Sequence, residues 1–126
     1  MNNITFKITP TERIRSKPRM TRRDIWLNPP RKAVEQWYTW KSDVIEAYTK
    51  AGGRLFKNAV LLGFILYTGY ENKDLDNIIK GIKDALKGYA LIDDKVKYVV
   101  GYTHAYVVSL ANTKCEEYII VNIENL

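Results

Sequence analysis

An α+β fold, with two helices packed on one mixed β-sheet in the order β-α-β-α-β-β, follows from three observations. Apolar residues recur with helical period in two stretches, each closed by glycine. Other stretches carry the alternation or the short continuous apolar runs of strands. The two kinds interleave with no repeat and no linker, which argues for a single domain over residues 1–126.

Each element has its own pattern. Residues 4–8 alternate, with Ile4, Phe6 and Ile8 on one side, as a half-buried strand requires. Over residues 32–50, Val34, Trp37, the stem of Lys41, Val44, Ile45 and Tyr48 form a helical stripe that Ala51-Gly52-Gly53 closes. Residues 58–67 are apolar through Val60, Leu61, Leu62, Phe64, Ile65 and Leu66, the pattern of a strand covered on both faces. A second helix over residues 74–87 turns Leu75, Ile78, Ile79, Ile82 and Leu86 inward, with Gly88 past its end. Residues 95–110, rich in Val and Tyr, form one long strand or two short ones bent near Gly101. Residues 118–123 close the sheet, with Ile119, Val121 and Ile123 on one face.

Composition narrows the function. With 126 residues, 46% hydrophobic, the chain can bury a core without disulfides. One cysteine, Cys115, excludes an internal disulfide, and with one histidine, His104, it excludes a Cys/His zinc site. The best apolar run, residues 59–67, falls far short of the roughly 18 residues of a membrane span. The first residues lack the basic-then-apolar order of a signal peptide. A cytoplasmic protein with no membrane partner is expected.

The net charge of +6 is concentrated. Residues 13–32 hold eight basic residues and one acid, Asp24, so they carry +7 and the remainder sums to −1. All four prolines lie between residues 10 and 30, which marks residues 10–31 as a basic loop or arm, with Trp26 inside it. Arg15, Lys17, Arg19, Arg22 and Arg23 are the candidate phosphate contacts of an anionic partner such as nucleic acid. A solubilising tail is the plain alternative.

Asp74 and Asp76 open the second helix, and the pair Asp93-Asp94 precedes the next strand. Clustered carboxylates offer hard oxygen ligands that suit Mg²⁺ or Mn²⁺. Lys80, four residues after Asp76, projects from the same helix face and could meet a scissile phosphate. Such a set implies metal-assisted phosphodiester hydrolysis. Each piece also has an ordinary structural reading: a helix cap, an i,i+4 salt bridge, and an Asp-Asp-Lys turn. The two acidic pairs sit at opposite ends of the helix and meet only if the second loop folds back along it.

The ordered set Asp74-Leu75-Asp76-Asn77, Lys80, Asp84-Ala85-Leu86 and Asp93-Asp94 resembles the signature of the RusA family of crossover-junction endodeoxyribonucleases. The resemblance runs from Lys73 to about Val96. More loosely, Lys17-Pro18-Arg19 is similar to a basic segment of phage-borne members. It implies that Asp74, Asp76 and Asp94 hold a catalytic Mg²⁺ (or Mn²⁺) and that Lys80 assists. It further implies a homodimer that resolves four-way DNA junctions by paired nicks, in recombination or repair, without an organic cofactor. At residues 70–73 the chain reads Tyr-Glu-Asn-Lys where a relative is strongly basic, which shifts the grip on DNA toward the 13–23 arm. The stretch leading to the Asp-Asp pair is one residue shorter, so Asp93 competes with Asp94, the preferred third ligand.

Two alternatives stand beside the resolvase: a flap- or fork-cutting nuclease with the same site, and a non-catalytic basic DNA-binding module. His104 reads as a packed or surface histidine. Cys115, beside Glu116-Glu117, lacks the setting of a nucleophile. Trp37 and Trp40 read as core or dimer interface.

Overall fold

Alternation along the first strand is realised as burial: Ile4, Phe6 and Ile8 face the core, while Asn3, Thr5 and Lys7 face out. A computed structural model describes residues 3–19, 22–26, 31–70, 72–110 and 116–126. Its elements are β1 (Asn3–Ile8), α1 (Arg22–Trp26), α2 (Lys32–Lys50), β2 (Val60–Thr68), α3 (Leu75–Leu86), β3 (Val99–Ser109) and β4 (Glu117–Asn125). Cys115, Pro29 and Pro30 lie outside the described residues.

The strands form one mixed sheet in the order β1-β4-β2-β3. β4 pairs antiparallel with both β1 and β2, whereas β3 runs parallel to β2. Parallel pairing requires a crossover, and α3 supplies it. One core joins Ile4, Phe6 and Ile8 to Trp37, Trp40 and Val44 of α2, Ile78 and Ile82 of α3, and Ile119, Val121 and Ile123 of β4.

The α+β class and mixed sheet agree with the sequence pattern, and four details differ. The 10–31 arm is not all loop: α1 forms in its proline-free middle, and Arg31 folds back on it through Asp24 (2.5 and 2.8 Å). Trp40, fully buried, takes the place in the α2 stripe that Lys41 was expected to fill. β2 is covered on one face only. Val60, Leu62, Phe64 and Leu66 are buried under the helices, while Leu61, Ile65 and Tyr67 stay half-exposed, because both helices pack on the same core. β3 neither starts at residue 95 nor breaks at Gly101. It begins at Val99, and two register shifts against β2 absorb its irregularity.

Trp37 and Trp40 are core residues. The helices meet where Gly81 faces the Trp37 indole: a Cβ at Gly81 would lie 3.0 Å from that ring and 3.5 Å from the backbone nitrogen of Lys17. A glycine inside a helix costs about 1 kcal/mol in propensity. Here it admits both the second helix and the basic arm against α3.

Candidate active site

The N-terminus of α3 is built around Asp74. Its backbone is extended (φ −101°, ψ 102°), and its carboxylate accepts the Asn77 N–H at 3.2 Å and the Asn77 Nδ2 at 2.8 Å. This is an N-cap, which satisfies an orphan amide and complements the helix dipole. The capping reading of Asp74 therefore holds. The salt-bridge reading of Asp76 and Lys80 does not. Both side chains are exposed, and among the described residues neither makes an ion pair or hydrogen bond. Two opposite charges one turn apart stand free at the mouth of the helix.

The loop after α3 folds back along it. Gly88 takes a left-handed turn (φ +82°), and the Leu91 carbonyl accepts the Gly88 N–H at 2.7 Å. Asp94 thereby shares a groove of about 460 Å³ with Lys17, Asn77, Lys80, Lys83 and Asp84. Asn77, Lys80 and Asp84 follow the i, i+3, i+7 spacing of one helix face. The cleft thus joins the third predicted carboxylate to the predicted lysine, while Asp74 touches it only through Asn77.

Asp93 is used differently. Its Oδ1 accepts the Asp94 N–H at 2.7 Å, and Lys95 and Lys87 stand 3.8 Å away. The Asp94 backbone N–H, then the Asp94 side chain and the two lysines, hold the Asp93 carboxyl below the ordinary aspartate range. It serves the turn, whereas Asp94 faces the groove. Lys87 lies between Asp94 (3.5 Å), Asp84 (3.7 Å) and Asp93. Slight burial works against its charge, but Asp94, Asp84 and Asp93 outweigh that and raise its pKa.

Among the described residues no three His, Cys, Asp or Glu side chains gather closely enough to cage a metal ion. The donor chemistry nevertheless suits a hard divalent cation. Asp74 and Asp76 are exposed carboxylates two residues apart, and Mg²⁺ needs only one or two protein carboxylates because it keeps waters.

The basic arm passes beside this site. Lys17 reaches Asp84 at 3.2 Å, on the groove wall. Arg15 is half-buried; Arg19 is exposed, and its carbonyl accepts from Arg31 at 3.0 Å. Arg22 and Arg23 are exposed on α1. Among the described residues, Lys17 ties the arm to α3, and Arg31 ties Arg19 and Asp24 to the start of α2.

A family model for the endodeoxyribonuclease RusA matches residues 33–116, two thirds of the chain. The chain belongs to the RusA endodeoxyribonuclease family. The match takes in Asp74, Asp76, Lys80, Asp84 and Asp94, while the arm with Lys17-Pro18-Arg19 precedes it. No curated protein matches the chain significantly. No described helix is long and apolar enough to cross a membrane.

The sequence pattern assigns no role to several residues in and behind this groove. Asn77 and Lys83 line the groove, and Asp84 fixes Lys17; the spacing of 77, 80 and 84 was the available signal. Lys73 and Glu117 form a buried ion pair (3.1 Å) behind Asp74, and 44 positions of separation leave no local trace of it. Desolvation pushes the Lys73 ammonium below the usual lysine value; Glu117 opposes that, and Arg13 and Arg15 add to it. His104 lies on the open sheet face across Gly63, with its Nδ1 2.9 Å from the Thr103 hydroxyl, outside the groove.

Proposed function

We propose that this RusA-family member is a divalent-metal-dependent, structure-selective endonuclease. Its whole chain acts as one nuclease domain, and as a homodimer it cuts four-way DNA junctions by paired nicks, in intracellular recombination or repair. The observation that carries the reading is the unpaired Asp76 and Lys80 on one exposed turn, beside a lysine-lined groove that ends at Asp94. Charges without partners in the folded chain are available to a ligand.

Asp74, Asp76 and Asp94 would hold Mg²⁺ or Mn²⁺, which, when bound, supplies water activation and neutralisation of phosphate charge. Lys80 would meet the scissile phosphate and stabilise the charge that builds on it during in-line displacement. Asn77 holds Asp74 in position. Lys17 and Lys83 line the path of the strand, and Arg15, Arg19, Arg22 and Arg23 extend that positive track along the arm. A four-way junction has two-fold symmetry, so two sites related by a dyad suit it. β3 supports self-association: among the described residues nothing pairs with its outer edge, and its eleven residues include no Asp, Glu, Lys or Arg.

The test is cleavage of a labelled four-way junction, a flap and a plain duplex, with Mg²⁺, with EDTA, and with D76N. Symmetric nicks on the junction that vanish in EDTA and in D76N are expected. Faster cutting of the flap would replace the resolvase by a flap nuclease. Junction binding without cutting under any divalent metal would leave only a DNA-binding module.

A further inference from the structure

The buried charge cluster behind Asp74 is not used by the chemistry above. The Glu117 side chain, 2% exposed at the start of β4, accepts the Ile14 N–H at 2.6 Å and meets Lys73 at 3.1 Å. Lys73 in turn donates to the Ile14 carbonyl at 2.8 Å. Both backbone polar groups of Ile14 are thus held by one ion pair, and the Ile14 side chain is itself in the core. The Thr68 hydroxyl at the end of β2 lies 3.3 Å from the same carboxylate. Arg13 stacks on the Tyr70 ring at 3.8 Å, and its Nε stands 3.9 Å from Glu117. Residue 14 lies in the first part of the basic arm, six residues past the end of β1, and residue 73 is the last before Asp74. A single carboxylate from a distant strand therefore ties the arm and the catalytic helix to the same point.

We infer that Lys73 and Glu117 are a positioning pair, which sets the basic arm in register with the N-terminus of α3 so that a phosphate gripped by the arm lies over Asp74, Asp76 and Lys80. This rests on the nuclease reading. Burial explains why an ion pair is used. A hydrogen-bonded charge pair has steep directional preferences, and removing one partner leaves an uncompensated buried charge, so the pair favours one arrangement of the two segments. Replacing both charges by apolar groups of similar volume is often close to neutral for stability, which separates positioning from folding.

The experiment compares the native protein with the double variant K73M/E117L and with E117Q. Three quantities are read: thermal midpoint, hydrogen exchange of the Ile14 amide, and cleavage of a four-way junction with Mg²⁺ across DNA concentration. In the double variant the midpoint stays near native. Ile14 exchange rises about tenfold or more while Ile119 and Val121 stay protected, as for a local opening. The rate at saturating junction falls roughly 10- to 100-fold, the size expected from a small misplacement of bound substrate. The half-saturating concentration moves little, because every cation of the arm remains. E117Q, which keeps an acceptor for Ile14, shifts exchange and rate in the same direction by less, and it decides the matter if the double variant does not fold. A released Ile14 amide with a native saturated rate overturns the inference, as does unchanged exchange in both variants. If the native protein cuts no DNA, the nuclease reading fails, and Ile14 exchange still reports whether the pair holds the arm.

Discussion

The two ends of α3 carry similar charges and use them in opposite ways. At the C-terminal end the carboxylates are matched: Lys87 meets Asp84, Asp93 and Asp94, and Lys17 meets Asp84. At the N-terminal end Asp74 is committed to the cap, but Asp76 and Lys80 have no partner among the described residues. One end shapes a turn and a groove wall. The other leaves Asp76 and Lys80 without a contact among the described residues, a difference that their spacing does not show.

The sharpest way to break the comparison is at the free end. D76N should lower the cleavage rate by about 10³-fold or more with an unchanged thermal midpoint, since no folded contact is lost. D74N should be as inactive and equally stable, because Asn caps helices as well as Asp does. K80A should cost about 10²- to 10³-fold in the rate at saturating DNA. Single-turnover kinetics beside thermal melts would measure all three, and a large loss of stability in D76N would refute its freedom.

At the matched end the two neighbouring aspartates should part company. D94N should slow cleavage by about 10²-fold, because it removes the carboxylate that faces the groove. D93N should leave the rate close to native, since its carboxylate serves the turn. Equal losses in both would mean that the turn, rather than Asp94, is what matters. Along the arm, R22Q/R23Q should reduce the slope of log affinity against log salt by about 2, one phosphate contact for each arginine. An unchanged slope in a binding titration would remove α1 from the interface. A modest effect on stability is expected at G88A, where a left-handed backbone (φ +82°) with open space around it should cost about 1–2 kcal/mol in chemical denaturation.

The fold and the matched end were largely legible in the chain. The stripes of α2 and α3, the alternation of β1 and β4, and the glycines after each helix are local patterns, and local geometry dictates them. The capping role of Asp74 and the turn role of Asp93 belong to the same class, because partners one to three residues apart are written in the spacing. α1 was missed for a related reason. It is five residues long, and Arg31 from beyond it holds it in place through Asp24.

What the sequence by itself determined about this protein is therefore its α+β class, its concentrated basic arm, and the ordered aspartates and lysine that resemble the RusA signature. Only the tertiary structure decided that Asp76 and Lys80 stay apart, that Asp94 rather than Asp93 faces the groove, and that Glu117 and Lys73 grip Ile14. The reason is physical. Periodicity reports which residues leave water, but whether a charge finds a partner depends on which distant segments the folded sheet brings within hydrogen-bond reach.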